Sequence, residues 1–148
     1  MVECLKASGA RRIAMSDSRL LDELHVADSL AAAGLSLKTW DQITLDEMYD
    51  FDAAVTDVTW AVAETGSLVI STHGGNGRAL SLTPKIHVAI VRTEQILPDL
   101  VDLFEKLGSR SPRDYTVIIS GPSKTADIEM NVVTGVHGPN VVQIYVID

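Results

Sequence analysis

The stretch "IHVAIV", residues 86–91, decides the fold class because it is apolar throughout except for His87. Continuous apolar runs with β-branched residues are typical of strands that are covered on both faces of a sheet. We predict further strands in shorter segments of the same kind, at residues 12–15, 35–40, 53–58, 67–71, 117–120 and 141–147.

Segments with helical spacing separate these strands. The longest covers residues 19–33, follows the capping pair Asp17-Ser18 and ends at Gly34. We also predict a helix over 94–107, and shorter helical segments at 45–49 and 60–64. Strands that alternate with helices favour an α/β fold with a mostly parallel sheet.

Ligands in such sheets usually lie at the carboxyl ends of the strands. We therefore expect the loops that follow Val58, Ser71 and Ser120 to lie at that edge.

Composition limits the function classes. The 148 residues fit one domain, and a net charge of −8 argues against a nucleic-acid partner, because phosphate backbones require a basic surface. No apolar run is long enough to span a membrane. The single cysteine, Cys4, excludes internal disulfides and a cysteine-ligated iron–sulfur cluster within one chain, so we expect a cytoplasmic protein without a cofactor of its own.

The loop "SGPSKT", residues 120–125, is the first candidate site. If a helix begins at Ala126, free backbone N–H groups and the positive helix end face a ligand there. Ser120, Ser123 and Thr125 add hydroxyl groups. Lys124 adds a positive charge, and Gly121 allows close approach, so a carboxylate or phosphate suits the loop. The alternative is that Ser123 or Thr125 only caps this helix.

The turn "AETGSL", residues 63–68, is the second candidate. Glu64 precedes Thr65-Gly66 between two elements, and a carboxylate at a sheet end can act as a base or nucleophile. The alternative is a solvated glutamate, with Gly66 supplying a positive φ.

Histidines supply the third candidate. His137 lies in a glycine-flanked loop, and with Asp127 and Glu129 it offers an oxygen and nitrogen ligand set for a metal, although no recognised zinc spacing occurs. His87 lies in a buried strand, where a hydrogen-bonded core histidine is the usual outcome. The sequence alone leaves both assignments open.

Three segments together resemble the lactate-utilization protein C family, whose shared unit is the LUD domain. They are "VTDVTWAVAETGSLVI" (55–70), "LSLTPKIHVAIVRTEQILPDL" (80–100) and "SGPSKTADIEMNVVTGVHGPNVVQIYVI" (120–147). Their order and intervals fit the family pattern from about residue 53 to the end of the chain. The first fifty residues match loosely, and we expect the N-terminal helical region common in relatives to be reduced or absent.

The resemblance implies a single LUD-type domain over residues 1–148. It also implies a three-layer α/β/α fold like that of ribose-5-phosphate isomerase and the CoA transferases. The implied role is in bacterial oxidation of L-lactate to pyruvate, together with partner subunits that carry iron–sulfur clusters. The matching motif positions are Glu64, Thr65, Gly66, Ser120, Gly121, Ser123, Lys124, Thr125, Asp127, Glu129 and His137.

Two hypotheses follow from these motifs. In the first, the chain is a non-redox subunit that binds a small carboxylate or a partner at residues 120–127. In the second, it is a stand-alone enzyme similar to a CoA transferase or a sugar-phosphate isomerase, with Glu64 as nucleophile or general base.

Overall fold

The computed structural model describes residues 1–72, 75–108, 115–126, 132–134 and 138–148. Its helices are α1 (Val2–Ala7), α2 (Arg19–Glu23), α3 (Val26–Ala32), α4 (Arg78–Leu82) and α5 (Leu100–Leu107). Its strands are β1 (Arg12–Met15), β2 (Ser36–Thr39), β3 (Ala53–Asp57), β4 (Trp60–Val62), β5 (Ser67–Ser71), β6 (Ile86–Arg92), β7 (Ile96–Leu97), β8 (Thr116–Ile119), β9 (Lys124–Ala126), β10 (Val132–Thr134) and β11 (Val141–Ile147). Short 3-10 helices cover Trp40–Gln42, Glu47–Asp50 and Thr93–Gln95.

A parallel sheet forms the centre of the molecule, in the order β11-β6-β3-β1-β2. β6 lies between β3 and β11, with Val88 opposite Val55 on one side and Gln143 on the other. The apolar segment of β6 is buried from Ile86 to Val91. The prediction of an α/β fold with a mostly parallel sheet is therefore confirmed.

Helices α1, α2 and α3 cover one face of this sheet. Leu5, Leu21 and Leu30 have no exposed surface and pack in one cluster with Ile13 and Val88. Fully burying one such side chain stabilises the fold by about 1.5–3 kcal/mol. Among the described residues, no helix is long and apolar enough to cross a membrane.

A second sheet, in the order β7-β4-β5-β8, covers part of the opposite face. Leu68 of β5 and Ile119 of β8 pack on Ala89 and Val91 of the central sheet. α5 covers the far side of the second sheet, where Leu103 packs in one cluster with Val62, Val69 and Leu97. Asp99 caps α5, since its Oδ1 accepts hydrogen bonds from the N–H groups of Val101 (2.8 Å) and Asp102 (3.0 Å).

Two helix predictions are wrong in extent. The helix expected over 19–33 is divided at His25, whose φ of 50° interrupts the helical backbone between α2 and α3. The helix expected over 94–107 begins only at Leu100, because Ile96–Leu97 pairs with β4 as a strand and Asp99 caps the helix after it.

Two further helix predictions are wrong in type. Residues 60–62 form a strand rather than a helical turn, because Trp60 and Val62 pair with β5. Ala126 does not begin a helix but ends a strand: Lys124–Ala126 pairs antiparallel with Val132–Thr134. The same small and hydroxylic residues suit a helix cap or a turn, and here strand pairing prevails.

The prediction that the loops after Val58, Ser71 and Ser120 lie at one common edge is also wrong. β5 and β8 run antiparallel, with Ser71 opposite Thr116 and Leu68 opposite Ile119. Ser71 and Ser120 therefore lie at opposite ends of this strand pair, and Ser120 lies beside the start of β5.

Candidate functional site

Three hydroxyl groups from two predicted motifs meet at one end of the second sheet. The Ser67 Oγ lies 2.7 Å from the Thr65 Oγ1 and 2.7 Å from the Ser120 Oγ, so Ser67 joins the other two. Ser67 is 2% exposed, whereas Thr65 and Ser120 are exposed. We call Thr65, Ser67 and Ser120 the hydroxyl cluster.

Strand pairing explains why the cluster forms. β4 and β5 are antiparallel and are connected by the turn at residues 63–66, where Gly66 adopts a φ of 63°. A residue with a side chain is strained in this left-handed region, which favours glycine at the turn. β8 then pairs with β5 so that Ser120, one residue beyond Ile119, lies beside Ser67.

A cleft of about 250 Å³ adjoins the hydroxyl cluster, and Ser120 belongs to both. α4 contributes one wall, β8 and the following loop contribute another, and Gly138-Pro139 and Val142 complete the lining. The lining residues are Ser81, Leu82, Val117, Ile118, Ile119, Ser120, Gly121, Ser123, Gly138, Pro139 and Val142.

Two loop segments that the sequence singled out are held together at this cleft. The N–H of Ser123 donates a hydrogen bond of 2.8 Å to the carbonyl of Pro139. A Cβ at Gly138 would lie 3.1 Å from the Ser123 Cβ, which is tighter than ordinary contacts, so glycine permits this approach. Gly121 has a φ of 103°, a conformation that also favours glycine.

The structure describes some of the other predicted site residues and leaves others outside its described ranges. Glu64 is exposed on the turn before Thr65, and its N–H donates to the carbonyl of Pro98 at 3.0 Å. Lys124 is exposed at the start of β9, and the backbone of Thr125 pairs with Val133. The candidate residues Asp127, Glu129 and His137 lie outside the described residues.

The described cleft lining is chemically mixed. Ser81, Ser120 and Ser123 bring hydroxyl groups, while Leu82 and Val142 bring apolar surface. Such a combination suits a small ligand with one oxygen-rich end and one apolar end. Within the described part of the chain, no three acidic, histidine or cysteine side chains are grouped as metal ligands would be.

His87 lies below this region, within the central sheet. It is opposite Val142, which lines the cleft, and its Nε2 is 2.9 Å from the Thr56 Oγ1. Its Nδ1 is buried and has no hydrogen-bond partner among the described residues. Burial disfavours the charged imidazolium and lowers the pKa of His87 from 6.5 to about 4, so the ring is neutral at pH 7.

Several residues of this site were not predicted from the sequence. Ser67 stood inside the quoted turn, but was assigned only to the following strand. A hydroxyl residue directly after the turn glycine was the available signal. No local pattern in the sequence marked Ser81, Leu82 or Val142 as site residues, since only tertiary packing brings α4 and β11 to the loop after β8.

The sequence of this chain matches the LUD domain over residues 13–147. The chain belongs to the LUD domain family. The motifs at 63–68 and 120–125, which meet at the hydroxyl cluster and its cleft, both lie within the matched LUD region.

Relatives of this LUD domain carry related names. It is 33% identical over 124 residues to lactate utilization protein C of Bacillus pumilus, covering 76% of this chain and 51% of that protein. It is 33% identical over 148 residues to the uncharacterized protein YkgG of Escherichia coli K12, covering 93% and 63%. The chain thus spans about half to three fifths of the length of these relatives.

The crystal structure of a DUF162 family protein from Deinococcus radiodurans resembles this LUD domain. Its TM-score is 0.58 at 22% sequence identity, and the match covers 99% of this chain and 93% of the other. This similarity supports the α/β fold.

Proposed function

We propose that this LUD domain acts in lactate utilization as a non-redox subunit, and that its cleft binds the carboxylate of L-lactate or pyruvate. The hydroxyl cluster carries the proposal, because it turns the Ser120 hydroxyl into an oriented donor at the wall of a small cleft. The names of the relatives supply the substrate class.

Proton counting explains how the cluster would orient Ser120. Three hydroxyl groups carry three protons, and the two contacts between them use two. One proton is left for an acceptor outside the cluster. This proton belongs to Ser120 when Thr65 donates to Ser67 and Ser67 donates to Ser120. An anionic acceptor in the cleft favours this direction of hydrogen-bond donation, and each hydrogen bond in the series strengthens the next.

The remaining cleft groups suit a three-carbon acid. A carboxylate bound by Ser120 would have the Ser123 hydroxyl as a second donor, and the methyl group would face Leu82 and Val142. The exposed Lys124, next in sequence to Ser123, adds positive potential to an otherwise acidic protein. These groups bind and orient a ligand, and electron transfer is not among the chemistry they supply.

In this proposal the redox step belongs to partner subunits with iron–sulfur clusters. Such clusters are normally held by four cysteine thiolates, and this chain has Cys4 alone. The alternative enzyme hypothesis with Glu64 as nucleophile stays a prediction. The described contacts of Glu64 do not favour it, because its side chain is exposed on the turn.

Equilibrium binding tests the proposal. Calorimetric titration with L-lactate and with pyruvate, with and without partner subunits, is expected to give saturable binding. Ser120→Ala and Ser123→Ala are each expected to weaken it roughly ten- to a hundredfold, as for one lost hydrogen bond to a charged group. Ser29→Ala is the matched control, since the Ser29 hydroxyl bonds the His25 carbonyl on α3, a different part of the fold. Unchanged affinity in both cleft variants would refute the assignment.

A further inference from the structure

β11 (Val141–Ile147) forms an edge of the parallel sheet, and β6 is the strand that pairs with it among the described residues. Its sequence, VVQIYVI, contains no charged residue and no proline. Protein edges normally carry charges, prolines or very short strands, because unpaired N–H and C=O groups recruit other strands. β11 has seven residues and none of these protections.

The opposite edge of the same sheet is protected. β2 (Ser36–Thr39) has four residues, and Lys38 within it forms an ion pair of 3.0 Å with Glu47. The contrast between the two edges marks β11 as the one suited to pairing.

Apolar side chains accompany the open edge. Ile144 and Val146 project to the same face of β11 and are 46% and 55% exposed. Together with Val62 and Ile96 they line an apolar groove of about 240 Å³ between the two sheets. Exposed contiguous apolar surface of this kind is typical of an interaction site.

We propose that β11 pairs antiparallel with β11 of a second copy of this chain, which extends the parallel sheet across a two-fold axis. A two-fold axis perpendicular to the sheet keeps each face of β11 on the same side of the sheet in both copies. Because side chains alternate between the two faces along a strand, residues that lie opposite each other must be an even number apart in sequence. With Ile144 on the axis, Val142 lies opposite Val146 on one face. Gln143 lies opposite Tyr145 on the other face, and no apolar residue meets a charge.

Charge supports a second copy as the occupant. Each chain carries a net charge of −8, so a self-interface must be free of opposed acidic groups, and β11 is uncharged. The ends of the strand are complementary. The carbonyl of the exposed Lys85 accepts from Asn140 and Val141 at the start of β11, and the exposed Asp148 follows its end. Antiparallel pairing places Asn140 of one copy opposite Asp148 of the other, and the positive charge of Lys85 lies one strand further away, beside Asn140.

Site-specific cross-linking tests this register in the full chain. In a Cys4→Ser background, Ile144→Cys places two thiols opposite each other on the axis, and we expect a disulfide-linked dimer under mild oxidation. Val141→Cys is the matched control, because Val141 is also exposed (41%) but would lie about 20 Å from its copy. Equal cross-linking at both positions, or none at position 144, would overturn the proposal.

The oligomeric state supplies an independent test. Light scattering over roughly two decades of protein concentration is expected to show a monomer–dimer equilibrium for the unmodified chain. Ile144→Lys is expected to shift it to monomer, whereas Val101→Lys, at a residue on α5 that is 67% exposed, is expected to leave it unchanged. A chain that stays monomeric throughout, or dimers that persist in Ile144→Lys, would exclude self-pairing at this edge in favour of another occupant or another interface.

Discussion

The hydroxyl oxygens of Ser67 and Ser120 lie 2.7 Å apart although 53 residues separate them in the sequence. Their contact joins the turn at 63–66 to the loop at 120–123, and so joins the two motifs that the sequence singled out. The antiparallel pairing of β5 with β8 is what brings them together.

Replacing Ser67 with alanine is expected to destabilise the fold by about 1–2 kcal/mol, because a nearly fully buried hydroxyl and both of its contacts are lost. Denaturant unfolding measures this. Ser36→Ala, at the exposed first residue of β2, is the control and is expected to change the free energy of unfolding by less than about 0.5 kcal/mol. In a double-mutant cycle, Ser67→Ala and Ser120→Ala should be less costly together than the sum of their separate effects. Additive effects would contradict a direct contact.

Acid is expected to destabilise the protein through His87. The unfolded chain takes up a proton near pH 6.5, while the buried ring resists it until about pH 4. The contribution of neutral His87 is therefore complete above pH 6.5 and is lost as the pH falls towards 4. Each pKa unit corresponds to about 1.4 kcal/mol, so the loss approaches 3 kcal/mol.

Comparison of histidine variants separates the effect of His87 on the free energy of unfolding from the effect of the carboxylates. Unfolding of His87→Gln, followed from pH 7 to pH 4, is expected to show a smaller loss of stability than the unmodified protein. His25→Gln is the control, because the His25 side chain is mostly exposed. If His87→Gln and the unmodified chain lose stability in parallel, the neutral-histidine assignment is wrong.

Gly138→Ala tests the contact between the two cleft segments. The added Cβ would lie 3.1 Å from the Ser123 Cβ and 3.4 Å from its Oγ, so Ser123 must shift. We expect a stability loss of about 1 kcal/mol and weaker binding of pyruvate. Gly108→Ala, at the end of α5, is the control and should leave binding intact. A Gly138→Ala variant with unaltered affinity would show that the position of Ser123 is not critical.

The sequence predicted the strands of the parallel sheet well, for a physical reason. Segments such as Ile86–Arg92 and Ala53–Asp57 are buried on both faces, so their apolar character is continuous and local. Gly34 and Gly66 were also read correctly, because both occupy positive φ angles where glycine is favoured.

The second sheet was harder to predict. Residues 60–62 and 124–126 are too short to show a period of two, and their strand character depends on partners elsewhere in the chain. Strand direction left no local signal, so the antiparallel placement of β8 was missed. For the candidate site, the segments 63–68 and 120–125 were both singled out from the sequence, but Ser67, which joins them, was not.

Amide chemical shifts, followed by heteronuclear NMR while L-lactate or pyruvate is added, test the central claim most directly. We predict saturable shifts concentrated at Ser67, Ser120, Gly121 and Ser123, with the amide of the distant Ser36 unchanged. Saturable shifts centred elsewhere, or none at these residues with partner subunits present, would contradict the account of a carboxylate cleft built on the hydroxyl cluster.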